Sequence, residues 1–296
     1  MWLDAGGAVP WFGPAEMECM LWKGEAPFVG FDPLHSLLMP SGRQIPHEGE
    51  AIVLRTWPFR EADLVVSLFT REQGKVKGVA RHALNSRKRF GGALEPATQV
   101  RAYYVERLHQ DLVRLDQFEI LWSPLRWAVS STRLAALQLV TEVLEEALPE
   151  QAPEDNIFRL ALTTLKSIQT EGSPGEVRLP VTYFCLWMNR LMGWMPELKR
   201  CAACGRDLRN QAIYWCADRD GVTCHDDRPA NGRPLSPASV AGAELILHHA
   251  LTDLLLEEAQ SSICPEGLLI FAIAALERHL ERRLRSAPAL TMAATI

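Results

Sequence analysis

Four cysteines in the second half of the chain have the residue type and the spacing of a metal site. They are Cys201 and Cys204, which form a C-x-x-C pair, followed by Cys216 and Cys224. Thiolates in such an arrangement bind zinc, and four protein ligands leave no open position for a reactive water, so the sequence predicts a structural zinc site. Cys216 is the first choice for the fourth ligand, with Asp227 and His225 as alternatives. Unmetallated thiols in a surface loop are the competing interpretation.

A second cluster of chemically distinctive residues is basic. Residues 71–92 contain seven Lys or Arg and one acidic residue, Glu72. Residues 51–115 carry a net charge of +6, whereas the full sequence carries −5, so the remainder carries −11. This asymmetry predicts a surface for a polyanion, although a solvated hairpin is the simpler interpretation of a basic run alone. The candidate phosphate-binding residues are Arg71, Lys75, Lys77, Arg81, Arg87, Lys88 and Arg89.

Aromatic residues near the basic cluster could stack on nucleic-acid bases. They are Trp57, Phe59, Phe90, Tyr103 and Tyr104. Tyr103 and Tyr104 are neighbours in a predicted strand, where successive side chains point to opposite faces, so one of them is expected in the core. By the same alternation, Lys75 and Lys77 are expected on one face of their strand.

Motifs of the common catalytic sites are missing from the sequence. It contains no G-x-G-x-x-G, no H-E-x-x-H and no complete phosphate-binding loop around Gly74 and Lys75. The zinc deaminase signature is incomplete, because Arg200 and not a proline precedes the C-x-x-C pair, and no serine lies in a nucleophile elbow. We therefore expect a binding protein rather than an enzyme. An uncharacterised zinc enzyme would need an open coordination position at the cysteine cluster.

The composition is that of a globular protein. The sequence has 296 residues, of which 48% are hydrophobic and 23% charged. No apolar run approaches the roughly 20 residues that cross a bilayer, and the N-terminus lacks the pattern of a secretory signal. Seven cysteines, an odd number, are more typical of reduced thiols than of a disulfide framework. We expect no membrane association and a cytoplasmic location.

The elements that would carry the basic cluster lie in the first half of the sequence. Residues 1–48 are rich in Gly and Pro, which predicts a poorly ordered extension. Residues 49–122 contain five short strand-like runs and predict a barrel of the oligonucleotide-binding (OB) type, with an SH3-like barrel as the nearest competitor. Within it, residues 74–81 are expected to be an ordered strand and residues 82–90 a mobile loop.

Helical periodicity follows the barrel. Residues 123–198 and 231–287 predict the two parts of an α-helical domain, and the Cys-rich module at 199–230 is inserted between them. Ser130 and Ser236 are predicted N-caps, and Ser236 opens what is predicted to be one continuous helix. The last helix is predicted to begin at Pro265 and to become basic toward its C-terminus, at Arg278, Arg282, Arg283 and Arg285. Residues 288–296 are expected to be a C-terminal tail. The predicted fold class is therefore α+β and multidomain: a five-stranded OB-type barrel, then a helical domain with an inserted zinc-binding module.

Several motifs resemble those of the bacterial recombination mediator and DNA repair family RecO. In the barrel region these are E-A-D-x-x-V-S-L-F-T, G-K-x-x-G-V-A-R and R-F-G-G-x-L-E-P, and in the second half of the sequence they are C-x-x-C-G and R-L-R-S. The resemblance covers about residues 50–286. It implies binding of single- and double-stranded DNA, annealing of complementary strands, and assistance with RecR in loading RecA onto DNA coated with single-strand-binding protein.

The resemblance also implies partners and site residues. It implies that the helical domain binds the C-terminal tail of single-strand-binding protein, and that the protein acts at the nucleoid without catalytic turnover. The positions that it assigns to DNA contact are Lys75, Lys77, Arg81, Arg87 and Arg89. The positions that it assigns to the metal are Cys201, Cys204, Cys224 and Asp227, whereas the additional Cys216 departs from the family pattern. An RNA- or tRNA-binding OB-fold protein with a structural zinc site is the alternative function.

Overall fold

The computed structural model describes residues 44–107, 110–126, 130–169, 177–256 and 266–291. Of the predicted N-terminal extension, residues 1–43 lie outside the described residues. None of the described helices is long and apolar enough to cross a membrane.

Five strands form a closed barrel in the order β1-β2-β3-β5-β4. They are β1 (Gln44–Pro58), β2 (Leu64–Thr70), β3 (Gly74–Ala80), β4 (Gln99–Arg107) and β5 (Val113–Trp122). The β1–β4 pairing closes the barrel, and β3 and β5 run parallel while the other pairs are antiparallel. A closed five-stranded barrel with non-sequential neighbours is the arrangement of an OB fold, so the predicted fold class is confirmed.

The predicted N-terminal boundary of the barrel is wrong by a few residues. Residues 44–48, assigned to the extension, belong to β1 and pair with residues 103–107 of β4. The Gly and Pro content of residues 1–48 predicted an irregular segment, but pairing with β4 holds residues 44–48 in the strand despite that composition.

Alternation along β1 explains how the barrel joins the helices. Ala51 and Val53 point into the barrel core, whereas Ile52 and Leu54 point outward and are buried against the helices. A strand that is buried on both faces reads as a continuous apolar run, as residues 51–54 do. The outer face of the barrel and the helices therefore form one continuous hydrophobic core.

The helical body has its core around α4. Its helices are α2 (Ser131–Ala147), α3 (Asp155–Gln169), α4 (Arg178–Leu191), α5 (Pro237–His248), α6 (Leu251–Leu256), α7 (Glu266–His279) and α8 (Ala287–Thr291). α4 contacts α3, α5 and α7, as expected for a helix that is apolar nearly all round. The N-caps predicted at Ser130 and Ser236 are present, each accepting a backbone N–H three residues ahead.

Two predicted helical boundaries differ from the structure. The helix predicted from Ser236 onward breaks at His249, which is extended, so that α5 and α6 are separate. The last long helix ends at His279, so of the basic residues expected at its C-terminus only Arg278 lies in its last turn, and Glu281 follows with a φ of +54°. In the predicted tail, Leu290 of α8 is buried and α8 contacts α2, so part of that tail belongs to the body.

Candidate nucleic-acid surface and metal centre

The beginning of β3 packs against the helical body and does not face solvent. Lys75 is 7% exposed, and its Nζ donates to the backbone oxygen of Glu145 at 2.6 Å. Glu145 lies in the last turn of α2, where carbonyl groups lack partners within the helix and a cation is favourable. Burial lowers the pKa of Lys75. Lys75 therefore serves as a C-terminal cap for α2, and it lacks the accessible position that the predicted DNA contact requires.

Two further cations of the predicted DNA surface are paired with the helical body. Lys77 Nζ lies 2.7 Å from Glu150 Oε1, and Arg71 Nε lies 2.7 Å from Asp155 Oδ1 at the start of α3. The hydrogen bond from Lys77 lowers the pKa of Glu150, and the same bond raises the pKa of Lys77. Both cations remain partly exposed, but their charge is compensated locally.

We refer to the contacts of β2 and β3 with residues 145–158 as the joint. At its centre, Phe69 of β2 meets Phe158 of α3 edge to face at 5.5 Å, and Ser67 donates to the Glu145 carboxylate. Gly74 has a φ of +71°, and a Cβ added there would overlap the backbone of Ala152. Glycine is therefore required at this position both by conformation and by the close approach of two backbones.

The connection from β3 to β4 carries cations that face solvent. Arg81, Arg87 and Lys88 are exposed, and none of them forms an ion pair with a residue in the described ranges. Arg89 is half-buried, and its guanidinium donates to the backbone oxygen of Arg81 at 2.6 Å. Arg89 therefore holds the connection in shape while its three neighbours are available to a ligand.

The same connection is helical, where a loop was predicted. A 3₁₀ turn at residues 83–85 is followed by a short helix, α1 (Arg87–Phe90). Phe90 is 2% exposed and meets Phe118 edge to face at 5.4 Å inside the barrel. The buried ring anchors α1 on the end of the barrel, which places Arg87 and Lys88 on a defined support.

The connection from β1 to β2 lies beside this helical segment. Leu84 N donates to the backbone oxygen of Ala62 at 3.2 Å, and His82 N donates to Asp63 Oδ1 at 2.7 Å. Arg60 is exposed on the β1–β2 connection, and its guanidinium lies 5.2 Å from the ring centroid of Phe59. We call the whole region the basic surface; it consists of Phe59, Arg60, Arg81, Leu84, Arg87 and Lys88.

The other aromatic candidates lie elsewhere. Phe90 and Tyr104 are in the barrel core, so the prediction that one of the paired tyrosines is a core residue is confirmed. Burial raises the pKa of Tyr104 to about 12. Tyr103, on the opposite face, donates to Glu119 at 3.3 Å on a part of the barrel that is rich in carboxylates. Neither tyrosine belongs to the basic surface.

The candidate metal centre consists of three thiols and one carboxylate. One ligand atom from each of Cys201, Cys204, Cys224 and Asp227 lies within 4.8 Å of all the others. Cys204 Sγ and Cys224 Sγ are 3.9 Å apart, and Asp227 Oδ2 lies 3.1 Å from Cys224 Sγ and 3.4 Å from Cys201 Sγ. Tetrahedral zinc, with bonds of about 2.3 Å to sulfur and about 2.1 Å to oxygen, requires ligand separations of roughly 3.5–3.8 Å. The donor set and its spacing therefore fit zinc.

The local backbone and charges also favour a cation. Gly205 follows the C-x-x-C pair with a φ of +72° and donates its N–H to the Cys201 oxygen at 2.9 Å, which closes the turn. Burial would raise the pKa of Cys201, but backbone N–H groups, including that of Cys224, hold it below its ordinary value. The Asp227 carboxylate raises the pKa of Cys204 to about 12. These four acidic groups are crowded, and a bound cation would relieve the crowding.

Comparisons with known proteins agree with both halves of this architecture. A family model described as Recombination protein O N terminal matches residues 45–124, and one described as Recombination protein O C terminal matches residues 130–288. This chain belongs to the RecO family. It is 44% identical over 237 residues to the DNA repair protein RecO of Koribacter versatilis (strain Ellin345), which covers 80% of this chain and 95% of that protein. It is 34% identical over 242 residues to the DNA repair protein RecO of Anaeromyxobacter sp. (strain K), which covers 79% and 91% respectively.

Within this RecO-family protein, the sequence-based preference for Cys216 as fourth ligand is not supported. Cys216 is buried and lies outside the four-residue group. The pKa of its thiol is raised mainly by burial and also by a hydrogen bond to Asp218. His225 is exposed, lies 3.7 Å from Asp226, and is also outside the group. Asp227, which was an alternative, is the fourth member of the group. A carboxylate three residues after Cys224 reaches the cluster because the backbone turns immediately after that cysteine.

Sequence reasoning did not identify Arg60 and Leu84 as members of the basic surface. Arg60 is an isolated cation next to an acidic residue, and Leu84 is an apolar residue in a basic run. The available signal was topological. OB barrels bind oligonucleotides through the face of strands 2 and 3 and through connections between strands. On that basis, the connection between the first two strands could have been predicted as part of the surface.

Proposed function

We propose that this RecO-family protein is a DNA-binding recombination mediator and that DNA contacts it at the basic surface. The observation that carries the proposal is the group of exposed cations Arg81, Arg87 and Lys88, which have no ion-pair partner in the described ranges and lie on the connections of an OB barrel. Cations in this position neutralise phosphates and release counterions from the strand. The family to which the protein belongs supplies the biological context, DNA repair.

The finer steps are part of the same proposal. The protein binds single- and double-stranded DNA and lowers the mutual repulsion of two complementary strands, so that their bases can pair. Together with RecR it assists the loading of RecA onto DNA coated with single-strand-binding protein, whose C-terminal tail contacts the helical body. These steps require binding energy and charge neutralisation but no turnover, and we place the protein at the nucleoid in the cytoplasm.

Neutralising the basic surface tests this function. In the variant Arg81→Gln, Arg87→Gln, Lys88→Gln, we expect weaker binding to single-stranded DNA and a plot of log affinity against log salt that is flatter by about 2, since each lost phosphate contact removes about 0.7. The control Lys166→Gln, Arg200→Gln, Arg209→Gln removes the same charge from exposed residues elsewhere. An unchanged slope in the first variant, or equal effects in both, would contradict the proposal. RNA of the same sequence, bound as well as DNA, would favour the alternative RNA-binding function.

We also propose that Cys201, Cys204, Cys224 and Asp227 hold a structural zinc ion. Zinc at this site would supply folding free energy by joining residues 201–204 to residues 224–227. We expect Asp227→Ala to lower the zinc content of the purified protein and its thermal midpoint, whereas Cys216→Ser changes the zinc content little. Metal analysis of both variants tests the assignment. Zinc loss from Cys216→Ser with full retention in Asp227→Ala would restore Cys216 as the fourth ligand.

A further inference from the structure

Two exposed apolar side chains lie within the basic surface, on the two connections that form it. Phe59 on the β1–β2 connection is 48% exposed, and Leu84 on the β3–β4 connection is 62% exposed. Within the part of the protein that the structure describes, no other Phe, Tyr or Trp side chain is as exposed as Phe59. Exposed apolar side chains on connections that also carry exposed cations are suited to a ligand that has both anionic groups and apolar faces.

The backbone that carries this pair is held in place. Phe59 N donates to the backbone oxygen of Asp63 at 3.0 Å, which closes the β1–β2 connection. The Asp63 carboxylate accepts the N–H of His82, whose φ is +52°, and Leu84 N bonds to Ala62. These bonds fix both connections before a ligand arrives. Binding therefore costs little additional backbone conformational entropy.

We propose that Phe59 and Leu84 contact unpaired bases, with the Phe59 ring as the stacking platform, so that the basic surface distinguishes single strands from duplex DNA. This inference rests on the proposed function and adds that the preferred ligand is single-stranded rather than duplex DNA. The cations recognise phosphates, which single strands and duplexes both present. The faces of bases are accessible only where bases are unpaired and unstacked, and an aromatic ring binds them regardless of sequence. The Arg60 guanidinium beside the ring adds a cation to the same stack.

Paired binding measurements on Phe59→Ala test the inference. Fluorescence anisotropy at one salt concentration would compare a single-stranded oligonucleotide with the duplex of the same sequence. We expect single-strand affinity to fall at least about fivefold, as one lost base stack predicts, while duplex affinity changes less than about twofold. Phe59→Trp, which keeps an aromatic face, restores single-strand binding. Leu134→Ala, which removes a similarly exposed apolar side chain from α2, is the matched control and alters neither affinity.

A direct readout of stacking comes from oligonucleotides containing 2-aminopurine, whose fluorescence reports the stacking of that base. We expect binding of the unaltered protein and of Phe59→Trp to change this fluorescence, and Phe59→Ala to abolish the change at saturation. Equal losses for single strand and duplex, or no loss for either, would overturn the inference. The proposed function fails on a different result, an unchanged salt slope after neutralisation of Arg81, Arg87 and Lys88, so the two failures can be told apart.

Discussion

The cations of β3 and those of the connection that follows it are neighbours in sequence and have opposite environments. Lys75 caps α2 and Lys77 is paired with Glu150, so both belong to the joint. Arg87 and Lys88 stand on α1 with no ion-pair partner among the described residues. Positive charge in this part of the sequence therefore has two different environments, one that attaches the barrel to the helices and one that is exposed to solvent, and the covering of a strand face by helices decides between them.

The comparison also bears on the proposed site of DNA contact. The face of strands 2 and 3 is a usual binding surface of OB barrels. In this protein, Phe69 and Lys75 on that face are buried against α2 and α3. The accessible cations are displaced to the end of the barrel, where the β1–β2 and β3–β4 connections meet. Variants that separate attachment from binding would sharpen this division.

The largest effect is expected from Gly74→Ala in the joint. A methyl group at this position meets the backbone of Ala152 in addition to the unfavourable φ, so we expect a loss of about 3 kcal/mol or more in unfolding free energy. Gly92→Ala is the matched control because Gly92 has a φ of +72° but no neighbour closer than 3.8 Å. It should cost only about 1–2 kcal/mol. Urea unfolding followed by circular dichroism measures both, and equal losses would show that the joint is not tightly packed at Gly74.

A smaller effect separates the two kinds of cation directly. Lys75→Met removes the charged cap of α2 and leaves the Glu145 carbonyl without its partner, which should cost about 1–2 kcal/mol of stability with little change in DNA affinity. Arg87→Met should change stability by less than about 0.5 kcal/mol. It should flatten the salt dependence of single-strand binding by about 0.7. If Lys75→Met reduced the salt slope as Arg87→Met does, the division between joint and basic surface would be wrong.

The sequence was sufficient to predict features that depend on local pattern. Strand alternation placed Lys75 and Lys77 on one face and one of Tyr103 and Tyr104 in the core, and turn and cap residues indicated the starts of α2 and α5. The pattern cannot show which outer face of the barrel a helix covers, because that depends on contacts between residues about 70 positions apart, such as Lys75 and Glu145. For that reason Arg71, Lys75 and Lys77, which lie in the joint, were predicted together with the exposed cations as one DNA surface.

The fourth residue of the candidate metal group illustrates the same limit on a smaller scale. Counting cysteines favours Cys216, since a thiolate is the better zinc ligand. The choice is made instead by the path of the backbone. Tyr214 pairs with Thr223 across the module, which brings residues 224–227 beside the C-x-x-C pair, and Cys216 lies outside the group. Spacing in sequence identified the module and three of the four grouped residues, and it offered Asp227 only as an alternative, which the fold places in the group in preference to Cys216.

The smallest effect concerns the exposed edge of the joint, where Lys77 meets Glu150. The pKa of Glu150 is lowered by this contact, so the stabilisation is complete at pH values above the unfolded-state pKa and is lost as the pH falls through the lowered folded-state value. Because the pair is partly exposed, we expect Glu150→Gln to cost only about 0.5 kcal/mol at pH 7, and the difference from the unaltered protein should vanish in acid. Thermal unfolding at several pH values measures this, with Lys77→Met and the double variant completing a cycle.

The variant Glu150→Gln also releases Lys77, so it tests the division between the cations of the joint and those of the basic surface. Tighter DNA binding in this variant would show that Lys77 can reach phosphates once freed, whereas unchanged binding confines Lys77 to the joint.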